Sequence, residues 1–167
     1  MRRGPALLAP LALLVAQAGC GLQPMYAGGG DGGVAQGLAA VDVAPIEGQA
    51  GWLVRNALRD RLTQSGNAAQ PRYRLDVLLD DDVEGLGLLT DETVGRERRT
   101  LRARYQLVDL SSGAIVVDAT AGSDAGIDVV SSEFATIAAE QTALENLASE
   151  VAERIVTRLT LALRART

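Results

Sequence analysis

The chain is predicted to fold as an α/β two-layer sandwich, with two helices on one face of a four-stranded mixed sheet in the order β-α-β-β-β-α. Three observations carry this. Two segments alternate apolar and polar residues with period two over more than ten positions, 72–83 and 98–110. Two others, 49–65 and 134–163, repeat apolar residues at three and four. Each alternating segment has one apolar and one charged face, so both helices are expected on the same side of one sheet.

The first element expected is a short strand within Leu38–Ile46, where Val41 and Val43 fall on one side of Asp42 and Pro45 closes the run. In the helix that follows, Val54, Leu58 and Leu62 lie four apart beside Leu53 and Ala57. Arg55, Arg59 and Asp60 lie mostly opposite, and Gly66 or Asn67 is suited to end it. Trp52, near its start, reads as a core or rim anchor. The second strand, 72–83, puts Tyr73, Leu75, Val77 and Leu79 on one face and Arg74, Asp76, Leu78, Asp80 and Asp82 on the other. A bend through Gly85 and Gly87 leads to the third strand, with Leu101, Ala103, Tyr105 and Leu107 facing one way. Ser111-Ser112-Gly113 is a turn signal and Ala114–Ala121 a fourth strand, followed by a connection over 122–132. Ser131 or Ser132 is placed to cap the closing helix. Its stripe runs from Phe134 and Ile137 to Leu159 and Leu163 over about 30 residues, roughly 45 Å at 1.5 Å per residue.

The amino terminus reads as a processed leader. Arg2 and Arg3 precede an apolar run, Ala6–Ala16, and the small pair Ala18-Gly19 stands before the single cysteine, Cys20. Pro10 interrupts the run, which is shorter than the about 20 residues a membrane span needs. Residues 1–19 are therefore expected to be a lipoprotein signal peptide, and Cys20 the lipidated residue, carrying diacylglycerol and an N-acyl chain. Each buried methylene contributes about 0.8 kcal/mol, so two or three chains hold a domain firmly at a bilayer. The stretch from Cys20 to Gly37, with glycines at 28, 29, 30, 32, 33 and 37, is expected to be a flexible tether. One domain, 38–167, follows.

Composition removes several chemistries. There is no histidine and one cysteine, so Ser-His-Asp and Cys-His catalysis and His- or Cys-ligated zinc are excluded by inventory. No cofactor is expected beyond the acyl chains. The net charge of −5 becomes −7 once Arg2 and Arg3 leave with the leader, which makes the chain a poor general ligand for nucleic acid. All sixteen basic residues are arginine, the side chain suited to bidentate contact with phosphate or carboxylate, although a GC-rich genome produces the same bias.

Period-two spacing places Arg96, Arg98, Arg102 and Arg104 on one sheet face, the strongest constellation in the chain. The row could grip phosphates. Equally, Asp76, Asp80 and Asp82 on the preceding strand could neutralise it through cross-strand ion pairs. In the run Asp80-Asp81-Asp82 only the outer two share a face, and no glycine-bracketed calcium loop surrounds them, so a solvated strand is favoured over a metal site. Leu86, Leu88 and Leu89, at the hairpin tip, are candidates for apolar contact with acyl chains, a membrane or a barrel wall, or for packing over the end of the sheet. A carboxylate hydrolase lacks any pocket signature in this pattern.

The opening Cys20-Gly21-Leu22-Gln23-Pro24-Met25-Tyr26 resembles the Cys-Gly-aromatic-x-Pro-Leu-Tyr start of the lipopolysaccharide-assembly lipoprotein LptE family in its alphaproteobacterial form. So do the element order and the closing helix, with Phe134–Glu140 and Ile155–Leu159 similar to the family's text. The resemblance implies a non-enzymatic outer-membrane lipoprotein, anchored in the inner leaflet and facing the periplasm. Its implied partners are the large LptD barrel, which it plugs and helps to assemble, and lipopolysaccharide. The Arg96, Arg98, Arg102 and Arg104 row would then meet lipopolysaccharide phosphates or acidic residues of the barrel. The competing expectation is an auxiliary lipoprotein of a phospholipid or organic-solvent transporter, which also looks like a lipidated α/β domain with a long last helix.

Overall fold

The computed structural model describes residues 32–63, 70–86 and 95–166. Cys20 and the leader, the expected helix stop at Gly66 or Asn67, and Leu88 and Leu89 fall outside the described residues. The described residues form three helices and a four-stranded mixed sheet: α1 (Gly33–Ala39), β1 (Val41–Val43), α2 (Gly48–Thr63), β2 (Tyr73–Gly85), β3 (Arg96–Asp109), β4 (Ile115–Asp128) and α3 (Glu133–Arg164). Strands follow chain order across the sheet, β1-β2-β3-β4. The first pair is parallel, with Val43 beside Leu75, and the other two are antiparallel. The connection through α2 lets β1 and β2 run parallel, and a short turn joins the antiparallel β3 and β4.

Apolar periodicity decides which face is covered. Leu75, Val77, Leu101, Ala103, Tyr105, Leu107 and Val117 are buried on the inner face. They pack in one cluster with Val54, Leu58 and Leu62 of α2 and with Leu144, Leu147, Val151, Ile155 and Leu159 of α3. Both long helices lie on that face, and among the described residues the other face of the sheet carries none.

Four local expectations need correction. Residues 33–37, expected to be coil, are helical. Ala35 and Leu38 are buried, and Gly37 approaches Leu163 so closely that an added Cβ would sit 3.4 Å from its Cδ1, so tertiary packing outweighs the glycine content. The first strand keeps only Val41–Val43, because Leu38 belongs to α1. β4 extends to Asp128 rather than ending at Ala121: its glycines at 122 and 126 stay in the ladder, paired with Arg102 and Arg98. Finally, the stripe of α3 starts late. Phe134 and Ile137 are exposed, the former by 88%, and burial begins at Ala143. Trp52 is likewise a surface residue, 64% exposed.

The β3–β4 turn is built by Asp109, Ser111 and Gly113. A buried Asp109 carboxylate accepts from the Ser111 amide at 2.9 Å and its hydroxyl at 2.5 Å, and Gly113 takes φ 71°, a left-handed value that favours glycine. Among the described residues, no helix is long and apolar enough to cross a membrane.

Candidate functional site

The bare face of the sheet holds the predicted arginine row. Arg96, Arg98, Arg102 and Arg104 are all exposed on one side of β3, as the period requires. Their partners are not the ones the sequence suggested. Arg96 pairs with Asp128 at 3.2 Å, Arg98 with Asp124 at 3.8 Å and Arg104 with Asp118 at 3.2 Å, all on β4. Asp76 is instead held by Arg74 on its own strand, through two contacts of 3.0 Å.

The register shows why. Arg96 stands opposite Asp128, while Arg98 and Arg104 reach diagonally to acids one pair along, opposite Thr100 and Gln106. The pair diagonal to Arg102 in the same sense is Thr120, which has no charge to offer, and directly opposite is Gly122. Arg102 makes no ion pair among the described residues, although Asp80 faces it across β2. Its stem runs over Gly122: a Cβ added there would stand 3.2 Å from the Arg102 Cγ. The missing side chain leaves an open groove of about 510 Å³, bounded by Leu78, Asp80, Arg102, Arg104, Thr120 and Gly122. Leu78, 75% exposed, gives this charged face an apolar centre.

The Asp118 carboxyl is held below its ordinary value, first by the Gln106 amide, which donates at 2.9 Å, and then by Arg104. Exposed ion pairs are weak and give way to a partner that offers more contacts. Three arginines are thus loosely engaged and the fourth has no ion pair among the described residues.

One ion pair escaped the sequence reading because it lies on the other side. Arg99 follows Arg98 directly and so faces inward, where its Nε and Nη2 grip Asp81 at 2.8 and 2.7 Å. Its remaining nitrogen donates to the Glu140 carbonyl of α3. This pair is largely covered, at 15% and 24% side-chain exposure, and it fixes the front of α3 to the sheet. The parity of Arg99 and Asp81 was the available signal. Of the apolar candidates, Leu86 is half-buried at the end of β2, where its amide donates to the Arg96 carbonyl. No group of three or more metal-ligating side chains occurs among the described residues.

A two-layer domain with helices on one face and a basic, partly neutralised strand on the other is the class of protein defined by this geometry, and the solved structures similar to it include several bacterial lipoproteins. A putative lipoprotein from Caulobacter crescentus is 27% identical, with a TM-score of 0.64 over 81% of this chain and 98% of that one. A minor lipoprotein from Acinetobacter baumannii, 14% identical over 72% and 90%, and lipoprotein B from Nitrosomonas europaea, 13% identical over 76% and 89%, share the fold at TM-scores of 0.56. The model of the lipopolysaccharide-assembly family LptE matches residues 38–159, and the chain belongs to that family. Its role is therefore that of a lipopolysaccharide-assembly lipoprotein of the bacterial envelope, in a family that is not enzymatic. No curated protein sequence matches the chain significantly.

Proposed function

We propose that the chain is anchored through acylated Cys20 to the inner leaflet of the outer membrane, where it plugs and helps to assemble the LptD barrel and assists lipopolysaccharide on its way to the outer leaflet. The observation that carries this reading is the helix-free face with its row Arg96, Arg98, Arg102 and Arg104. A barrel lumen or a glycolipid headgroup requires a surface of this kind, flat, charged and held by replaceable ion pairs. The open groove beside Arg102 offers a guanidinium with no ion pair to displace, and Leu78 beside it suits an amphiphile. Leu86, with Leu88 and Leu89 in the adjoining sequence, supplies a second apolar contact near the end of the β2–β3 hairpin.

Mass spectrometry of proteins retained with a tagged copy, solubilised by detergent from native membranes, tests the partner. A near-equimolar large β-barrel is the expected result; inner-membrane transporter subunits with no barrel would overturn the reading. Replacing the four arginines by Gln should weaken binding to lipid A while the circular dichroism and unfolding midpoint stay close to the parent. Unchanged binding would remove the row from the site and leave the barrel assignment standing on the first experiment.

A further inference from the structure

The sheet ends at β4, and among the described residues no strand pairs with the outer edge of its fourteen residues. Which backbone groups it offers follows from one bond. The Val129 amide donates to the Gly95 carbonyl at 3.2 Å, so in the unbroken register from Arg96–Asp128 to Leu107–Val117 the odd-numbered residues of β4 exchange hydrogen bonds with β3. The even-numbered ones, Asp118, Thr120, Gly122, Asp124, Gly126 and Asp128, direct both N–H and C=O outward. The edge has no proline or lysine, and alanine, glycine and serine dominate its middle; its charges, Asp118, Asp124 and Asp128, lie on the side of the arginine row and face away from the helices.

Beside it stand Arg154 and Arg158, one turn apart on α3 and exposed. With Tyr105, Ala119, Thr120, Ala121 and Gly122 they frame a cavity of about 560 Å³ under the edge. Arg154 already behaves as a surrogate strand: its guanidinium donates to the outward Gly122 carbonyl and reaches the Ser123 hydroxyl at 3.4 Å, with Glu150 only at 4.0 Å. Arg158 makes no ion pair among the described residues.

We propose that the β4 edge receives an extended acidic segment of a partner polypeptide. Its backbone pairs with the outward groups of Thr120–Asp128, and a carboxylate on its inward side settles between Arg154 and Arg158. The exchange leaves no polar group behind. An incoming N–H takes the Gly122 carbonyl, and the displaced Arg154 guanidinium takes the carboxylate. A second copy of β4 fits poorly, because its inward residues Ala119, Ala121, Ser123 and Ala125 bring no acid and its own Arg154 would oppose the first. This surface shares Thr120 and Gly122 with the groove beside Arg102, but its two arginines belong to α3 on the helix side of the sheet, and it does not rest on the barrel reading.

The test titrates the ¹⁵N-labelled full chain, in detergent micelles, with a blocked peptide of about seven alternating glutamates and valines, the length of an ordinary strand. A matched peptide with lysine for glutamate is the control. Slowed amide exchange is expected at Thr120, Gly122, Asp124 and Gly126 but not at their odd-numbered neighbours, already bonded to β3. The lysine peptide should bind roughly tenfold or more weakly, as loss of charge-assisted contacts implies. Thr120→Pro should abolish binding while sparing the ladder, since the lost N–H points outward. Should that variant fold poorly, the double variant R154Q/R158Q must still bring the glutamate peptide down to the level of the lysine one. Binding without the alternating amide pattern, equal binding of the two peptides, or no binding at millimolar concentration would each overturn the proposal.

Discussion

The two faces of β3 use the same backbone and opposite physics. Leu101, Ala103, Tyr105 and Leu107 are almost wholly removed from water beneath the helices, whereas Arg102 and Arg104, each one residue away, and Arg98 further along the strand remain in solvent. On the inner face, neighbours are fixed by volume, and a change must be absorbed by close packing. On the outer face, partners are fixed by charge, and the pairs that form are exchangeable. Stability is therefore concentrated on one side of the strand and the capacity to bind on the other.

The largest break in that asymmetry should come from Leu107→Ala, which removes a fully buried side chain from the central cluster and should cost about 2–5 kcal/mol, read as a shift in the denaturant midpoint. Arg104→Gln, three residues away on the other face, should leave the midpoint nearly where it was. Equal losses at the two positions would mean that the outer face is also a packed interface within the monomer.

Arg99 tests the boundary between the two regimes, being a charge on the packed side. Arg99→Gln removes both contacts to Asp81 and the tie to Glu140, leaving a largely covered carboxylate without its guanidinium. The expected cost is about 1–2 kcal/mol, in line with hydrogen bonds to charged groups, and hydrogen exchange should quicken first in the opening turns of α3. A loss confined to the global midpoint, with no local change near Glu140, would show that the pair does not fasten the helix.

The alternation in 72–83 and 98–110 made the two faces of the sheet legible, and with them the helix-covered side and the arginine row. A row of four like charges at period two has one geometric consequence. The ion-pair partners were not legible, because the pairing of β3 with β4 depends on register. Asp124 and Asp128 come into reach only because β4 runs on through Gly122 and Gly126, residues whose composition reads as loop, and Asp118, within the expected strand, is set beside Arg104 by the register. Long-range packing decided the remaining misses. α1 forms in a glycine-rich segment because Ala35 and Leu38 find cover, and Phe134 keeps the helical period although the helix has outrun the core. The Arg154 and Arg158 edge was invisible for the same reason: two arginines four apart on a helix are ordinary until the strand beside them is known to be the last.

The smallest effect separates two carboxylates that are both held below their usual value, one on each side of this division. Asp109 is buried in the β3–β4 turn and lowered chiefly by the Ser111 hydroxyl and backbone amide. Asp118 is exposed on the open face and lowered chiefly by Gln106 and then by Arg104. In the unfolded chain both return to about 3.9. The fold thus favours their charged forms, so their contribution is fully present above that value and drains away as pH falls through the lower folded values. Asp109→Asn and Asp118→Asn should each lower the thermal midpoint at neutral pH, and the difference from the parent should close on acidification. Salt separates the two. Donors within a turn are little screened, so the Asp109 effect should persist at high ionic strength, while the share of the Asp118 effect owed to Arg104 should shrink. If the two variants responded alike to salt, the exposed face would be as rigidly organised as the turn, and its arginines would not be free to change partners.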